Sequence, residues 1–79
     1  MAYEYGVLTH SKSGERYAIM MSNGLITQAA GPLHYSEGFD KEDVEGFLFN
    51  QSSEDLEGDA QWLRDEIAAH GEMRVIAYQ

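Results

Sequence analysis

The sequence predicts an α+β domain in which a four-stranded, largely antiparallel sheet carries two helices on one face, in the order β-β-β-α-α-β. Three observations lead to this fold class. Aromatic and β-branched segments separated by turn residues fill the first thirty positions. Apolar residues with helical spacing replace that pattern after Asp40, and a last β-branched segment follows Gly71.

The three N-terminal strands are predicted at Tyr3–Thr9, Arg16–Met21 and Leu25–Ala29. Turn residues Ser11–Gly14 separate the first two strands. Asn23-Gly24 separates the second and third strands, and it tolerates the positive φ angles of a type I′ turn, which is the strongest short-range signal of a hairpin. We therefore expect an antiparallel meander, followed by a connecting loop over residues 30–38.

The first helix is predicted from Asp40 to about Asn50. Asp40 is a favourable N-cap, and Asp43 stands three residues later in the position of a capping box. Phe39 precedes the cap and is expected to pack against Val44 as a hydrophobic staple. The apolar stripe of this helix has i, i+3, i+4 spacing and consists of Val44, Phe47 and Leu48.

The second helix is predicted to begin at Ser52 or Ser53, either of which can act as its cap. It is expected to end at His70-Gly71, because glycine readily adopts the left-handed conformation that closes a helix. Its apolar face consists of Leu56, Ala60, Leu63 and Ile67. The last strand is predicted at Met73–Tyr78.

Length and composition exclude several classes of protein. The chain has 79 residues and no cysteine, which fits one compact domain over residues 1–79 without disulfides or thiolate chemistry. It contains neither a secretory signal pattern nor the run of about 18 apolar residues that marks a membrane span. We therefore predict a cytoplasmic protein that does not associate with membranes.

The acidic charge is concentrated in one segment. The chain has 14 acids and 5 bases, for a formal net charge of −9. Residues 37–66 contain eleven of the acids but only Lys41 and Arg64 as bases, so they hold the whole net charge. Because a negative surface repels phosphates, we do not expect direct binding of nucleic acid.

Motifs for catalysis or for cofactor binding are absent from the sequence. The three histidines, His10, His34 and His70, have no short metal-ligand spacing, and we interpret them as surface or helix-capping residues. No nucleophile elbow, P-loop or dinucleotide-binding glycine pattern occurs. We therefore predict a protein that is not an enzyme, with no catalytic residue, no cofactor and no metal site.

A row of acids runs along the second helix. On a helical wheel Asp55, Asp59, Trp62 and Glu66 share a strip beside the apolar face, and the first helix adds Glu42 and Glu45. Acids at i, i+4 repel each other at a cost of a few tenths of a kcal/mol per pair, and lysines that would relieve this repulsion are nearly absent. A tryptophan within the row is typical of binding surfaces. The predicted binding residues are therefore Glu42, Glu45, Asp55, Asp59, Trp62 and Glu66.

The chain resembles, as a class, the small acidic inhibitors of phages and mobile elements, which include anti-CRISPR proteins and other DNA mimics. The resemblance covers size, lack of cysteine, α+β build and the acidic segment, with Asp59-Ala60-Gln61-Trp62-Leu63-Arg64-Asp65-Glu66. It involves no family motif. It implies a non-catalytic protein that occupies the basic, nucleic-acid-binding groove of a partner protein and blocks it.

Two other interpretations stay open at this point. The acids can serve solubility alone, since acidic side chains do so better than basic ones. The chain can also be an adaptor domain that binds a partner through its tyrosine-rich sheet, or a homodimer joined at an edge strand. The tyrosines in question are Tyr3, Tyr5, Tyr17 and Tyr78. The sequence leaves the exposure of Trp62 undecided.

Overall fold

The structure, a computed structural model, describes residues 3–34 and 39–78. Part of the predicted connecting loop, residues 35–38, and with it the acid Glu37, lies outside the described residues. The elements are β1 (Tyr3–Thr9), β2 (Arg16–Ser22), β3 (Leu25–Ala30), α1 (Lys41–Phe49), α2 (Ser53–His70) and β4 (Arg74–Tyr78). The predicted fold class and element order are confirmed.

The four strands form one antiparallel sheet in the spatial order β3-β2-β1-β4. Asn23 and Gly24 have φ angles of 53° and 80°, as the predicted hairpin turn requires. A register shift between Met20 and Met21 marks an irregularity where β2 pairs with β3. β1 lies between β2 and β4. At Gly6 in β1, an added Cβ atom would lie 2.5 Å from the carbonyl oxygen of Ile76 in β4. A close approach of β4 to β1 therefore requires glycine at this position.

Side-chain caps fix the start of both helices. Asp40 and Asp43 form a reciprocal capping box, each carboxylate accepting the other residue's backbone N–H at 3.0 Å. Ser52, rather than Ser53, caps α2 by accepting the N–H of Asp55. Gly71 ends α2 with a φ of 90°. None of the helices in the described part of the chain is long and apolar enough to cross a membrane.

Buried side chains lie on both faces of the sheet. Adjacent residues of a strand point to opposite faces, and the core divides in the same way. One cluster consists of Leu8, Tyr17, Ile19, Ile26, Ala29, Ala60 and Leu63. The other consists of Val7, Ala18, Ala30, Val44, Leu48 and Leu56. α1 therefore covers one face, whereas α2 joins that cluster through Leu56 and packs on the opposite face through Ala60 and Leu63.

The prediction that both helices lie on one face was wrong. The physical reason is visible in β2, where Tyr17, Ala18 and Ile19 are consecutive and all buried. A strand covered on one side alternates apolar and polar residues, whereas an unbroken apolar run needs cover on both sides. The two helices supply that cover from opposite faces.

The two edges of the sheet differ. α2 lies beside β3, and the guanidinium of Arg64 donates a hydrogen bond to the backbone carbonyl of Ile26. β4 forms the other edge and contains no fully buried residue. Within residues 3–34 and 39–78, helical cover therefore protects the β3 edge and leaves the β4 edge open.

Candidate functional site

The candidate site is a surface of α2 that we call the Trp62 surface. It consists of Asp55, Asp59, Trp62 and Glu66, which the helical period brings to one side of α2 as predicted. His10, which directly follows β1, and Tyr17 at the start of β2 lie against Trp62. The site therefore joins one helix to the ends of two strands.

Trp62 is partly packed and partly exposed. Its ring stacks on the His10 imidazole, with 5.6 Å between ring centroids and 17° between ring planes. The Tyr17 ring meets it edge-on at 5.5 Å. The side chain nevertheless keeps 42% of its surface exposed. Two ring contacts thus hold an exposed indole in a fixed orientation.

His10 supports the site from below, and its interpretation as a surface histidine was wrong. It is only 4% exposed, while His34 and His70 are exposed. The backbone N–H groups of Lys12 and Ser13 donate to its Nδ1 atom at 3.1 and 3.3 Å. An imidazole nitrogen that accepts hydrogen bonds carries no proton, so the ring proton is on Nε2.

The Nε2 atom of His10 donates this proton to the Oε1 atom of Glu66 at 2.8 Å. The other carboxylate oxygen of Glu66 lies 3.8 Å from Nε2 of His70. His10 therefore connects the turn after β1 to α2, and both of its ring nitrogens are occupied. Glu66 is a structural partner as well as a source of negative charge.

Asp55 and Asp59 bring neighbouring carboxylates to this surface. Partial burial, followed by the neighbouring charge of Asp55, raises the pKa of Asp59 above its ordinary value. Burial also raises the pKa of Tyr17, with further contributions from the charges of Glu15, Asp59 and Glu66. Among the described residues, neither Asp55 nor Asp59 forms a salt bridge with a lysine or an arginine.

The structure separates the six predicted binding residues into two groups. Glu42 and Glu45 belong to α1, where they line a shallow groove together with Gly46 and Phe49. Burial and then the charge of Glu45 raise the pKa of Tyr5. Tyr5 and Tyr17 belong to clusters on opposite faces of the sheet. The α1 acids and the Trp62 surface are therefore associated with different faces.

The tyrosines considered for the adaptor interpretation are mostly packed. Tyr17 is buried, and Tyr5 and Tyr78 lie partly buried against the cluster that α1 covers. Tyr3 is exposed. The sheet therefore offers one exposed tyrosine rather than a tyrosine-lined contact surface.

Sequence reasoning missed the contributions of His10, Tyr17 and Glu15 to the site. His10 and Glu66 are 56 positions apart, and no local pattern connects them. The available signal was the i, i+4 pair of Glu66 and His70, which placed a carboxylate beside an imidazole on α2. Finding His10 would have required the packing of α2 on the sheet.

Within residues 3–34 and 39–78, no group of three or more histidine, cysteine, aspartate or glutamate side chains is arranged to hold a metal ion. No protein-family model matches the sequence, and comparisons with curated proteins and with solved structures give no significant match. The fold and the site define a small α+β domain with an exposed tryptophan in an acidic surface. Functional inference therefore rests on that surface.

Proposed function

We propose that this chain is a non-catalytic, cytoplasmic binding protein whose Trp62 surface docks on the basic, nucleic-acid-binding groove of a partner protein and blocks it. In this role the protein acts as a DNA mimic, as the small acidic inhibitors encoded by phages and mobile elements do. Asp55 and Asp59 provide the negative charge that meets basic residues of the groove. Trp62 provides the apolar anchor.

The observation that carries the proposal is the fixed and exposed indole of Trp62. A side chain that His10 and Tyr17 already hold in place loses little conformational entropy on binding. Tryptophan is also the residue type most enriched among those that dominate binding energy. The support of Trp62 by two rings therefore favours a contact residue over an incidental exposed aromatic.

The electrostatics favour a basic partner. The raised pKa of Asp59 means that its ionised form is disfavoured by partial burial and by the charge of Asp55. A lysine or an arginine of the partner would relieve this repulsion, because an opposite charge within a few ångströms stabilises the carboxylate. Complementary charge of this kind also accelerates association and selects partners.

The first test is affinity capture from a cell extract, with elution by rising salt and by double-stranded DNA. We expect a nucleic-acid-binding protein that is released by DNA and by moderate salt, since both compete with charge contacts between exposed groups. A captured partner that responds to neither would contradict the proposal.

Two matched variants then locate the contact. Asp55→Lys/Asp59→Lys should abolish capture, whereas Glu42→Lys/Glu45→Lys should retain it. Both variants change the net charge by the same amount, so they separate the Trp62 surface from a general effect of charge. We omit Glu66 because its bond to His10 makes a fold defect difficult to distinguish from a binding defect. Circular dichroism should verify that both variants are folded.

Trp62 itself provides a direct readout, because it is the sole tryptophan of the chain. Mixing the purified protein with a captured, tryptophan-free fragment of its partner should shift the Trp62 emission to shorter wavelength and reduce quenching by acrylamide. Acrylamide is preferred to iodide, since nearby carboxylates repel an anionic quencher. Binding without any change in the quenching of Trp62 would contradict the assigned contact.

A further inference from the structure

β4 is the edge strand of the sheet that neither helix covers in the described part of the chain. Its residues are partly or largely exposed, and Ile76 keeps 48% of its surface in contact with solvent although it is a large apolar side chain. Val75 is exposed beside it, on the opposite face of the strand. Unprotected apolar edge strands readily pair with another strand, and natural proteins usually block them with charges, prolines or covering elements.

The hydrogen-bonding pattern of β1 determines which backbone groups of β4 are free. The N–H of His10, one residue beyond β1, donates to the carbonyl of Glu15 at 2.8 Å, so this position is a hydrogen-bonded position of the β1–β2 register although only one of the two bonds forms. Hydrogen-bonded and non-hydrogen-bonded pairs alternate along such a ladder. Leu8 and Tyr17 are therefore also a hydrogen-bonded pair, and Val7 directs its backbone groups away from β2, towards β4.

Val7 is opposite Ile76 in the β1–β4 pairing. The N–H and carbonyl of Ile76 consequently point inward to β1, whereas those of Val75 and Ala77 point outward. The open edge thus presents two donors and two acceptors, flanked by the apolar side chains of Val75 and Ile76.

We propose that two copies of this chain pair through β4 in antiparallel orientation, with Ile76 of each copy on the two-fold axis. In this register Val75 of one copy forms a hydrogen-bonded pair with Ala77 of the other, and the reverse pair completes four hydrogen bonds. All the outward backbone groups of both strands are then satisfied. The two sheets become one eight-stranded sheet.

The side chains of β4 are self-complementary in this register. Ile76 meets Ile76 of the second copy at a non-hydrogen-bonded position, where opposing side chains approach most closely. Arg74 meets Tyr78 of the second copy, a pairing of a cation with an aromatic ring. Arg74 is the only charged residue of the strand, so the pairing buries no carboxylate. These features favour a second copy over a strand of unrelated sequence.

The net charge sets the salt dependence of this dimer. Each protomer carries −9, so the protomers repel each other at low ionic strength. Added salt screens that repulsion and should strengthen the dimer, whereas it should weaken docking of the Trp62 surface on a basic groove. The opposite signs distinguish the two associations, and either one can fail without the other.

The test combines sedimentation velocity with amide hydrogen exchange on the purified, unaltered protein. With rising concentration and salt, the mass should increase from 8.9 kDa to twice that value. The amides of Val75 and Ala77 should exchange rapidly in the dilute protein and become protected in the dimer, while that of Ile76 is protected in both states. A dimer held by four hydrogen bonds and a few apolar contacts is expected to dissociate on dilution.

Charge variants test the register. Ile76→Lys places two like charges at the axis and should abolish the dimer, as should Ile76→Glu, while an equimolar mixture of the two variants should dimerise again. Leu25→Lys is the matched control, because Leu25 is 63% exposed in β3 at the covered edge. This variant should dimerise like the unaltered protein.

Three results would overturn the proposal. The first is a mass of 8.9 kDa at every concentration and salt level. The purified protein would give this result if the β4 edge received a strand from a different protein instead of a second copy. The second is a dimer in which the Val75 and Ala77 amides still exchange rapidly. The third is a dimer that survives Ile76→Lys, or one that the mixture of charge variants fails to restore.

Discussion

Both helices carry acidic residues, but they differ in the side chains that lie next to these acids. Glu42 and Glu45 of α1 border a shallow groove. Asp55 and Asp59 of α2 flank an indole that is fixed against a buried histidine and a tyrosine. Acidic density alone therefore does not distinguish a solubilising surface from a binding surface. The packing of Trp62 against two rings, beside the acids, is the feature that separates α2 from α1.

The largest expected effect comes from removing that support. His10→Ala should lower the free energy of unfolding by about 2–3 kcal/mol, because it removes the partner of Glu66 and the acceptor for two backbone N–H groups. Glu45→Ala on α1 should change it by less than about 0.5 kcal/mol. Urea denaturation followed by circular dichroism measures both. Equal effects of the two substitutions would remove the distinction between the helices.

The next effect concerns two exposed aromatic residues, Trp62 on α2 and Phe49 on α1. Trp62→Ala should cost about 1–2 kcal/mol of stability, since its ring contacts with His10 and Tyr17 are lost. Phe49→Ala on α1 should cost less than about 0.5 kcal/mol, because that side chain is 76% exposed. Thermal unfolding followed by circular dichroism provides the comparison. A larger loss for Phe49→Ala would contradict it.

The smallest effects should have opposite signs on the two helices. Asp59→Asn should raise stability at pH 7 by a few tenths of a kcal/mol, because it removes a carboxylate that Asp55 repels. Glu42→Gln should lower it by a similar amount, since Glu42 lies in the first turn of α1, where negative charge favours the helix dipole.

The gain from Asp59→Asn should depend on pH. The raised pKa of Asp59 means that the Asp59 carboxylate binds a proton more tightly in the folded protein than in the unfolded chain. Its ionisation therefore lowers stability above the folded-state pKa, and the loss disappears as pH falls well below the ordinary value of 3.8. Unfolding curves of the variant and the parent should converge at that acidity. A gain of constant size across this range would contradict the assignment.

Much of the fold could be predicted because its signals are local. Asn23-Gly24 predicted the β2–β3 hairpin through backbone conformations that few other dipeptides tolerate. Asp40 and Asp43 marked the start of α1 through a hydrogen-bond exchange within four residues. Signals of this kind depend only on residues that are close together in the sequence, so they can be recognised without knowledge of the tertiary structure.

The remaining features depend on contacts between distant segments. The apolar run Tyr17-Ala18-Ile19 indicates a strand that is covered on both faces, whereas the prediction of two helices on one face left the other face uncovered. The support of Trp62 by His10 has no counterpart in local spacing. The acidic strip of α2 was therefore predictable, whereas the reason to distinguish it from the acids of α1 was not.

The central position of β1 in the sheet has a consequence for the order of folding. A short turn joins β1 to β2, whereas the pairing of β1 with β4, which includes Tyr5 and Tyr78, joins segments that both helices separate in the sequence. Closing so long a loop is entropically slow, whereas the hairpins close quickly. We therefore expect the β1-β2-β3 meander to form first and β4 to join last. At Gly6 even one methyl group would obstruct the pairing of β4 with β1. Because this pairing forms in the final step of folding, substitution of Gly6 should accelerate unfolding far more than it slows folding.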